Sequence, residues 1–188
     1  MHFTLADLVT DIMQNGTESG ADLVELEIRE TAVSGAKREF RFTVKDNGKG
    51  MSSDELRRAE DPFVTDGIKH PHRKVGLGIP FLIQTAEQSG GGWNIESAKR
   101  TDNAGGTTVS AWFDLQNVDT PPVGDIPGMF RTVLLFGGPS EMVIHRIAEG
   151  IDYEVRKTEL VEALGDLEDA QSLILLDQYL RSLEDNKE

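Results

Sequence analysis

The sequence predicts an α+β fold in two layers, with a mixed, mostly antiparallel sheet and helices on one face. Apolar residues at helical spacing begin the chain, at Leu5, Leu8, Val9, Ile12 and Met13. Alternating apolar residues then indicate two pairs of strands, with a loop or turn region between the members of each pair. Such hairpins pair their strands antiparallel, so the helices between them must cover one face of the sheet.

Local signals support each element up to residue 118. Thr4 is suited to cap the first helix, and Gly16 and Gly20 mark its exit. Ser52 and Glu55 form a capping box that opens a short helix. The predicted elements are a helix from Leu5, strands at 23–30 and around Phe40–Val44, a short helix from Ser52, a loop at 64–75, a helix at 77–88, and strands at 93–98 and 106–115.

Pro121-Pro122 breaks the pattern, and we place a domain boundary there. The prediction is a domain of residues 1–118 and a small α/β extension of residues 119–188. The extension is expected to hold a helix near 125–136, two strands around Gly150, and helices near 158–164 and 170–183. We find no catalytic or binding motif in the sequence of this extension. It could cover the sheet, form a dimer or bind a partner.

Composition excludes several classes of function. The 188 residues carry a net charge of −14, which should repel nucleic acid at long range, since such binding is mostly phosphate neutralisation. There are no cysteines, so disulfides, thiolate zinc sites and cysteine nucleophiles are excluded. No apolar run is long enough to span a bilayer, and no secretory leader is evident. We therefore expect a cytoplasmic protein that binds neither membranes nor nucleic acid.

Asp46 is the most informative single residue. It has the same parity as Phe40, Phe42 and Val44, so it continues the inward face of a predicted strand. A buried carboxylate is costly unless a donor hydrogen-bonds it, and an adenine amino group is such a donor. Gly48 would let the chain turn close to a flat ring, and so would Gly50, two residues further on. Taken alone, the segment is equally compatible with a β-turn whose aspartate caps its own backbone.

Asp11 and Asn15 are four residues apart and therefore share a helix face. The asparagine carbonyl is a hard oxygen ligand that suits Mg²⁺. The carboxylate one turn earlier could orient a water for attack on a γ-phosphate. For this pair alone, a solvated polar edge of the helix is the more frequent explanation.

A short glycine segment precedes the predicted helix at 77–88. The backbone amides of Gly76, Leu77 and Gly78 would favour phosphate oxygens at a helix N-terminus. Cationic residues that include Lys69 and Lys74 come just before, which suggests a lid that closes over phosphates, although an ordinary solvated loop has equal weight. The loop stands where a dinucleotide-binding fold needs a strand, so a nicotinamide-dependent oxidoreductase is disfavoured.

Together, these segments resemble the ATPase domain shared by gyrase, Hsp90, histidine kinases and MutL. The similarity covers roughly residues 4–116 and lies in the order of five motifs. Those motifs are Asp11 to Asn15 (the N box), Asp46 to Met51 (the first glycine box), Asp61-Pro62-Phe63 (the phenylalanine box), Gly76-Leu77-Gly78 (the second glycine box) and Gly106-Thr107. The whole chain also resembles small stand-alone ATP-binding proteins similar to anti-sigma-factor kinases.

The resemblance implies the Bergerat ATP-binding fold, with ATP and Mg²⁺ as cofactors. It implies that Asn15 ligates Mg²⁺ and that Asp46 binds the adenine amino group with help from Thr107 through water. Met51 and Phe63 would belong to the nucleotide site. Gly76 and Gly78, with the lid cations, would contact phosphates.

One departure from the family pattern bears on activity. Hydrolytic members carry a glutamate where this chain has Asp11, so hydrolysis is less expected than binding. No phosphoacceptor histidine helix pair precedes the N box, so we expect no self-contained sensor kinase. Two hypotheses remain: an ATPase or protein kinase, and an ATP-gated regulatory module that binds a protein partner without chemistry. A homodimer is compatible with both.

Overall fold

The computed structural model describes residues 3–33, 37–61, 78–101 and 104–185. Six helices and six strands lie in these ranges. In chain order they are α1 (Leu5–Glu18), β1 (Leu23–Val33), β2 (Lys37–Asp46), α2 (Ser53–Glu60), α3 (Gly78–Gln88), β3 (Gly92–Ala98), β4 (Gly106–Asp114), α4 (Ile126–Leu134), β5 (Glu141–Ala148), β6 (Ile151–Arg156), α5 (Lys157–Leu164) and α6 (Ala170–Glu184).

Local capping fixes the starts of two helices as the sequence predicted. The Thr4 hydroxyl accepts the Asp7 amide while the Asp7 carboxylate accepts the Thr4 amide, which begins α1. Ser52 and Glu55 exchange the same two bonds at the start of α2. Each capping box satisfies amide groups that would otherwise lack an intrahelical partner, so it sets where the helix begins.

The strands form one six-stranded sheet in the order β3-β4-β2-β1-β5-β6. Four neighbouring pairs are antiparallel, and β1 and β5 are parallel. The sheet is therefore mixed and mostly antiparallel, which confirms the predicted fold class. The central position of β1 depends on β5, which follows Pro121-Pro122 in the chain.

The core lies on one face of the sheet, under the helices. Leu26, Ile28, Phe42 and Val44 point to this face and are almost fully buried. The opposite parity carries charged residues such as Glu27, which form ion pairs at the surface. Alternation of this kind makes the register sensitive, because a slip of one residue would exchange the two faces.

The segment after Pro121-Pro122 packs into the same core. The first turn of α1 donates backbone hydrogen bonds to this linker, from Leu5 to the Pro122 carbonyl and from Ala6 to the Val123 carbonyl, at 2.9 Å each. Phe130 of α4 is fully buried in the shared core cluster. The proposed boundary at residue 118 thus lies between two segments of one sheet, and whether they fold separately stays a prediction.

A buried arginine ties the C-terminal segment to the rest of the sheet. Arg146 of β5 is 4% exposed and bonds Glu184 of α6 at 3.2 Å through Nε. It also pairs with Glu30 of β1 and donates to the Ile147 carbonyl. Tyr153 donates its hydroxyl to Glu184 at 2.7 Å, and burial raises its pKa. Within the described ranges, no helix combines the length and apolar character needed to cross a membrane.

Candidate functional site

Asp46 lies at the end of β2, on the buried face, and is 7% exposed. Its Oδ1 accepts the Gly48 amide at 2.8 Å and the Ser19 hydroxyl at 3.0 Å. Burial raises the pKa of Asp46, while the bonds from Gly48, Ser19 and the Thr107 amide oppose that rise. The bond to Gly48 is the backbone-capping contact that sequence reasoning kept open. A carboxylate offers about four lone-pair sites, so this contact and a ligand are compatible.

The segment after Asp46 passes so close to its neighbours that side chains are excluded. A Cβ at Gly48 would lie 1.8 Å from Ser19 Oγ. A Cβ at Gly50, whose φ is +59°, would lie 1.7 Å from the Ala98 carbonyl oxygen. Only glycine adopts a left-handed conformation without steric cost. Both the backbone conformation and the close contact with Ala98 therefore require glycine at position 50.

Strands β3 and β4 complete this part of the site through a hydroxyl network. Thr107 pairs with Asp46 across β4 and β2 and with Ser97 across β4 and β3. The Ser97 and Thr107 hydroxyls are 2.8 Å apart, and the Met51 amide donates to Ser97 Oγ at 2.8 Å. The structure thus brings Asp46, Met51 and Thr107 together at the end of β2.

A second part of the site forms where α1 meets the start of α3. Asp11 and Asn15 are both exposed on α1. A Cβ at Gly78 would lie 3.7 Å from Asn15 Nδ2 and 3.7 Å from Asp11 Cβ. Residues more than sixty positions apart therefore meet at the N-terminal end of α3, where amides without intrahelical partners favour anions.

Gly16 connects the two parts of the site. It is buried in α1, directly after Asn15, and a Cβ there would lie 3.7 Å from Asp46 Cβ and 3.4 Å from Val24. The small residue lets α1 approach the end of β2. One helix therefore places Asn15 and Asp11 on its exposed side while its buried side contacts the strand that ends in Asp46.

The donor set fits a magnesium ion that is held mainly by a ligand's phosphates. In the described part of the chain, no group of three or more histidine, aspartate or glutamate side chains could hold a metal ion. Mg²⁺ commonly keeps waters and phosphate oxygens and takes only one or two protein ligands. The Asn15 amide oxygen is of the right chemical type for such a site.

Some predicted site residues lie outside the described residues. They are Phe63, Lys69, Lys74, Gly76 and Leu77, together with the proposed loop at 64–75. Sequence reasoning also missed Ser19 and Ser97. Ser19 is the C-cap of α1, and its contact with Asp46 depends on how α1 packs against β2. Ser97 lies on β3, and its contact with Thr107 depends on the register between β3 and β4.

A curated protein is similar to part of this chain. The hybrid signal transduction protein dokA of Dictyostelium discoideum is 31% identical over 102 residues, which are 53% of this chain and 6% of that protein. The match thus spans a small part of the length of this curated relative.

Two solved structures of histidine kinases are also similar. The mycobacterial sensor histidine kinase MprB has a TM-score of 0.39 at 18% identity, over 57% of this chain and 69% of that one. The histidine kinase domain of the blue-light activated kinase EL346 from Erythrobacter litoralis has a TM-score of 0.35 at 22% identity, over 60% of this chain and 46% of that one.

The family model described as histidine kinase-, DNA gyrase B- and HSP90-like ATPase matches residues 2–117, which are more than half of the 188 residues. The resemblance inferred from the ordered motifs is thereby confirmed, and the chain belongs to this ATPase family.

Proposed function

We propose that this protein binds Mg-ATP between the end of β2 and the N-terminal end of α3, and that it acts as an ATPase or protein kinase. The observation that carries the proposal is Asp46, a buried carboxylate held in a glycine turn, whose pKa burial raises although the Gly48 amide donates to it. Burying such a group is unfavourable. The carboxylate can accept about four donors, so an amino group from a ligand would stabilise it further, beside Gly48, Ser19 and Thr107.

In this proposal each part of the site has one task. The Asp46 carboxylate accepts the adenine amino group, and the Ser97–Thr107 hydroxyl pair supports that edge of the pocket. The amides at the start of α3 face the phosphates, beside Gly78. When bound, Mg²⁺ neutralises phosphate charge, and Asn15 would be the residue that holds it.

Asp11 bears on whether chemistry follows binding. Asp11 and Asn15 share the exposed side of α1 and both approach Gly78. A proton acceptor in this place could orient an attacking water or hydroxyl. Its side chain is one methylene shorter than the glutamate of hydrolytic relatives, which favours slow turnover.

The second candidate function is an ATP-gated module that presents a surface to a protein partner. The short Asp11 side chain favours it, because a population shift requires differential binding but no phosphoryl transfer. A non-hydrolysable ATP analogue should then produce the same partner binding and protease protection as ATP. Dependence on hydrolysable ATP would reject this alternative.

Binding itself is tested by thermal shift and calorimetry with ATP, ADP, GTP and NADH, each with and without Mg²⁺. A ligand that binds only the folded state raises the melting temperature. It adds about 2.7 kcal/mol to the free energy of unfolding when its concentration is about a hundred times Kd. We expect ATP and ADP to stabilise the protein and GTP and NADH not to do so. No shift with any adenine nucleotide would refute the proposal.

Turnover is tested separately with labelled ATP. Phosphate release or transfer to a protein partner, lost in Asp11→Asn while nucleotide affinity is kept, would support the enzyme. Binding without any release or transfer would leave the gated module as the function.

A further inference from the structure

Ser19 occupies a position that connects helix α1 to the base end of the proposed pocket. It lies directly after α1 as its C-cap. Its hydroxyl is 2.7 Å from the Gly16 carbonyl oxygen and 3.0 Å from Asp46 Oδ1. Its own carbonyl accepts the Lys49 amide at 3.1 Å. Three separate contacts therefore hold this serine between α1, β2 and the glycine turn.

The hydroxyl has one proton and two acceptors. Hydrogen bonds to an ionised group are about twice as strong as neutral ones, so an ionised Asp46 attracts the proton more strongly than the Gly16 carbonyl does. Oδ1 then accepts from both Ser19 and the Gly48 amide. Two donors on one oxygen fix the rotation of the carboxylate and hence the direction of its other oxygen.

The hydrogen bond between Ser19 and Asp46 also explains why residue 48 is a glycine. A Cβ there would lie 1.8 Å from Ser19 Oγ and 2.8 Å from Asp46 Oδ1. Any side chain at position 48 would therefore displace the hydroxyl from the carboxylate. The glycine provides the space that the Ser19–Asp46 bond needs, independently of any role in contacting a base.

We propose that Ser19 is a positioning residue for adenine recognition, whose hydroxyl orients the Asp46 carboxylate toward the exocyclic amino group. The inference rests on the proposed function, since it concerns the same pocket. The competing explanation is that the hydroxyl only closes the last turn of α1 through Gly16. The two explanations differ in whether the loss is specific to the amino group of the base.

The experiment compares ATP with purine riboside 5′-triphosphate, which lacks the 6-amino group, by calorimetry on the full chain. Ser19→Ala should weaken ATP binding about tenfold, the effect of one lost bond to a charged group. It should leave affinity for the analogue unchanged, so the preference for ATP falls by the same factor. Ser19→Thr, which keeps a hydroxyl, should restore the preference.

Ser89→Ala is the matched control. Ser89 follows α3 and bonds the Thr85 carbonyl at 2.6 Å, the same helix-end contact without a carboxylate. It should leave the ratio of the two affinities unchanged. Equal loss of both ligands in Ser19→Ala, or no loss of either, would overturn the positioning role. Failure of the unmodified protein to bind ATP would instead refute the proposed function, and this inference with it.

Discussion

Replacing Asp46 with asparagine should separate nucleotide binding from fold stability, with effects of opposite sign. The asparagine Oδ1 can keep both donors, the Gly48 amide and the Ser19 hydroxyl, which contact Asp46 Oδ1. Its amide nitrogen then takes the place of the second carboxylate oxygen. This amide nitrogen is a donor and would face the donor N–H of the adenine amino group, so recognition of the base is lost. The turn itself should survive, because its two hydrogen bonds to Oδ1 are kept.

The size of the binding effect follows from the lost interaction. A hydrogen bond to a charged group contributes about 1.5–3 kcal/mol, and each 1.4 kcal/mol is tenfold in affinity. Asp46→Asn should therefore raise the Kd for ATP about 10- to 150-fold. Binding of a nucleotide without the amino group should change much less, because it never used that acceptor.

The stability effect has the opposite sign. Burial raises the pKa of Asp46 in the folded state, so the contribution of this group to stability is fully present below the ordinary aspartate value of 3.8 and is lost as pH rises through the raised value. In the nucleotide-free protein, burial imposes a free-energy cost on the ionised form of this group. Asp46→Asn removes that cost, so the melting temperature should rise at pH 7, and the gain should shrink in acid. ATP affinity of the unmodified protein should weaken over the same acidic range.

Calorimetry for Kd and thermal melts from the ordinary aspartate pKa of 3.8 up to neutral pH measure both effects. Asp119→Asn, which removes one exposed carboxylate away from the pocket, is the matched control and should change neither quantity. Near-native ATP affinity in Asp46→Asn would refute the assignment of the base pocket. A lower melting temperature at neutral pH would show instead that the carboxylate is a structural turn residue.

Four further substitutions test other parts of the structure. Asn15→Ala should abolish the Mg²⁺ dependence of ATP affinity, measured with and without metal, whereas Gln14→Ala, on the same helix, should keep it. Gly50→Ala should prevent folding, as measured by circular dichroism, because its Cβ would lie 1.7 Å from a carbonyl oxygen. Gly78→Ala makes only 3.7 Å contacts, so this variant should fold normally. It should bind ATP more weakly, as measured by calorimetry. Arg146→Ala should lower the free energy of unfolding in urea by about 3 kcal/mol, because Glu184 then loses its cation and Glu30 keeps only Arg38, at 4.0 Å. A loss below about 1 kcal/mol would contradict this.

The parts of the fold that sequence predicts well are those with local causes. Thr4 and Ser52 cap helices through residues three positions away, and Asp46 was placed on the inward face by parity alone. The pairing of β1 with β5 joins segments about 118 residues apart, from Leu23 to Glu141. Hairpin signals predict pairing only between strands that are consecutive in the chain. They could not predict this parallel pair.

The features of the site also divide into those with local causes, which the sequence predicts, and those that depend on packing, which it does not. Glycines and an aspartate at characteristic spacing revealed the turn after β2, because each residue type has a local conformational reason to be there. The meeting of Gly78 with Asn15 depends on how α3 packs beside α1. The role of Ser19 depends on how closely α1 approaches β2. Neither distance can be derived from a periodicity, since both result from packing.

Helix α1 is held at both ends, and this joins the proposed site to the C-terminal segment. Its first amides, at Leu5 and Ala6, bond the linker carbonyls, and its last turn bonds Asp46 and Lys49 through Ser19. A ligand that shifted the base end of α1 would also strain the contacts between this helix and the linker, which would couple the two regions. Because such coupling is reciprocal, whatever binds the segment after residue 118 should change nucleotide affinity by the same factor as nucleotide changes its binding. The segment after Pro121-Pro122 thus helps to hold the helix that carries Asn15 and Asp11.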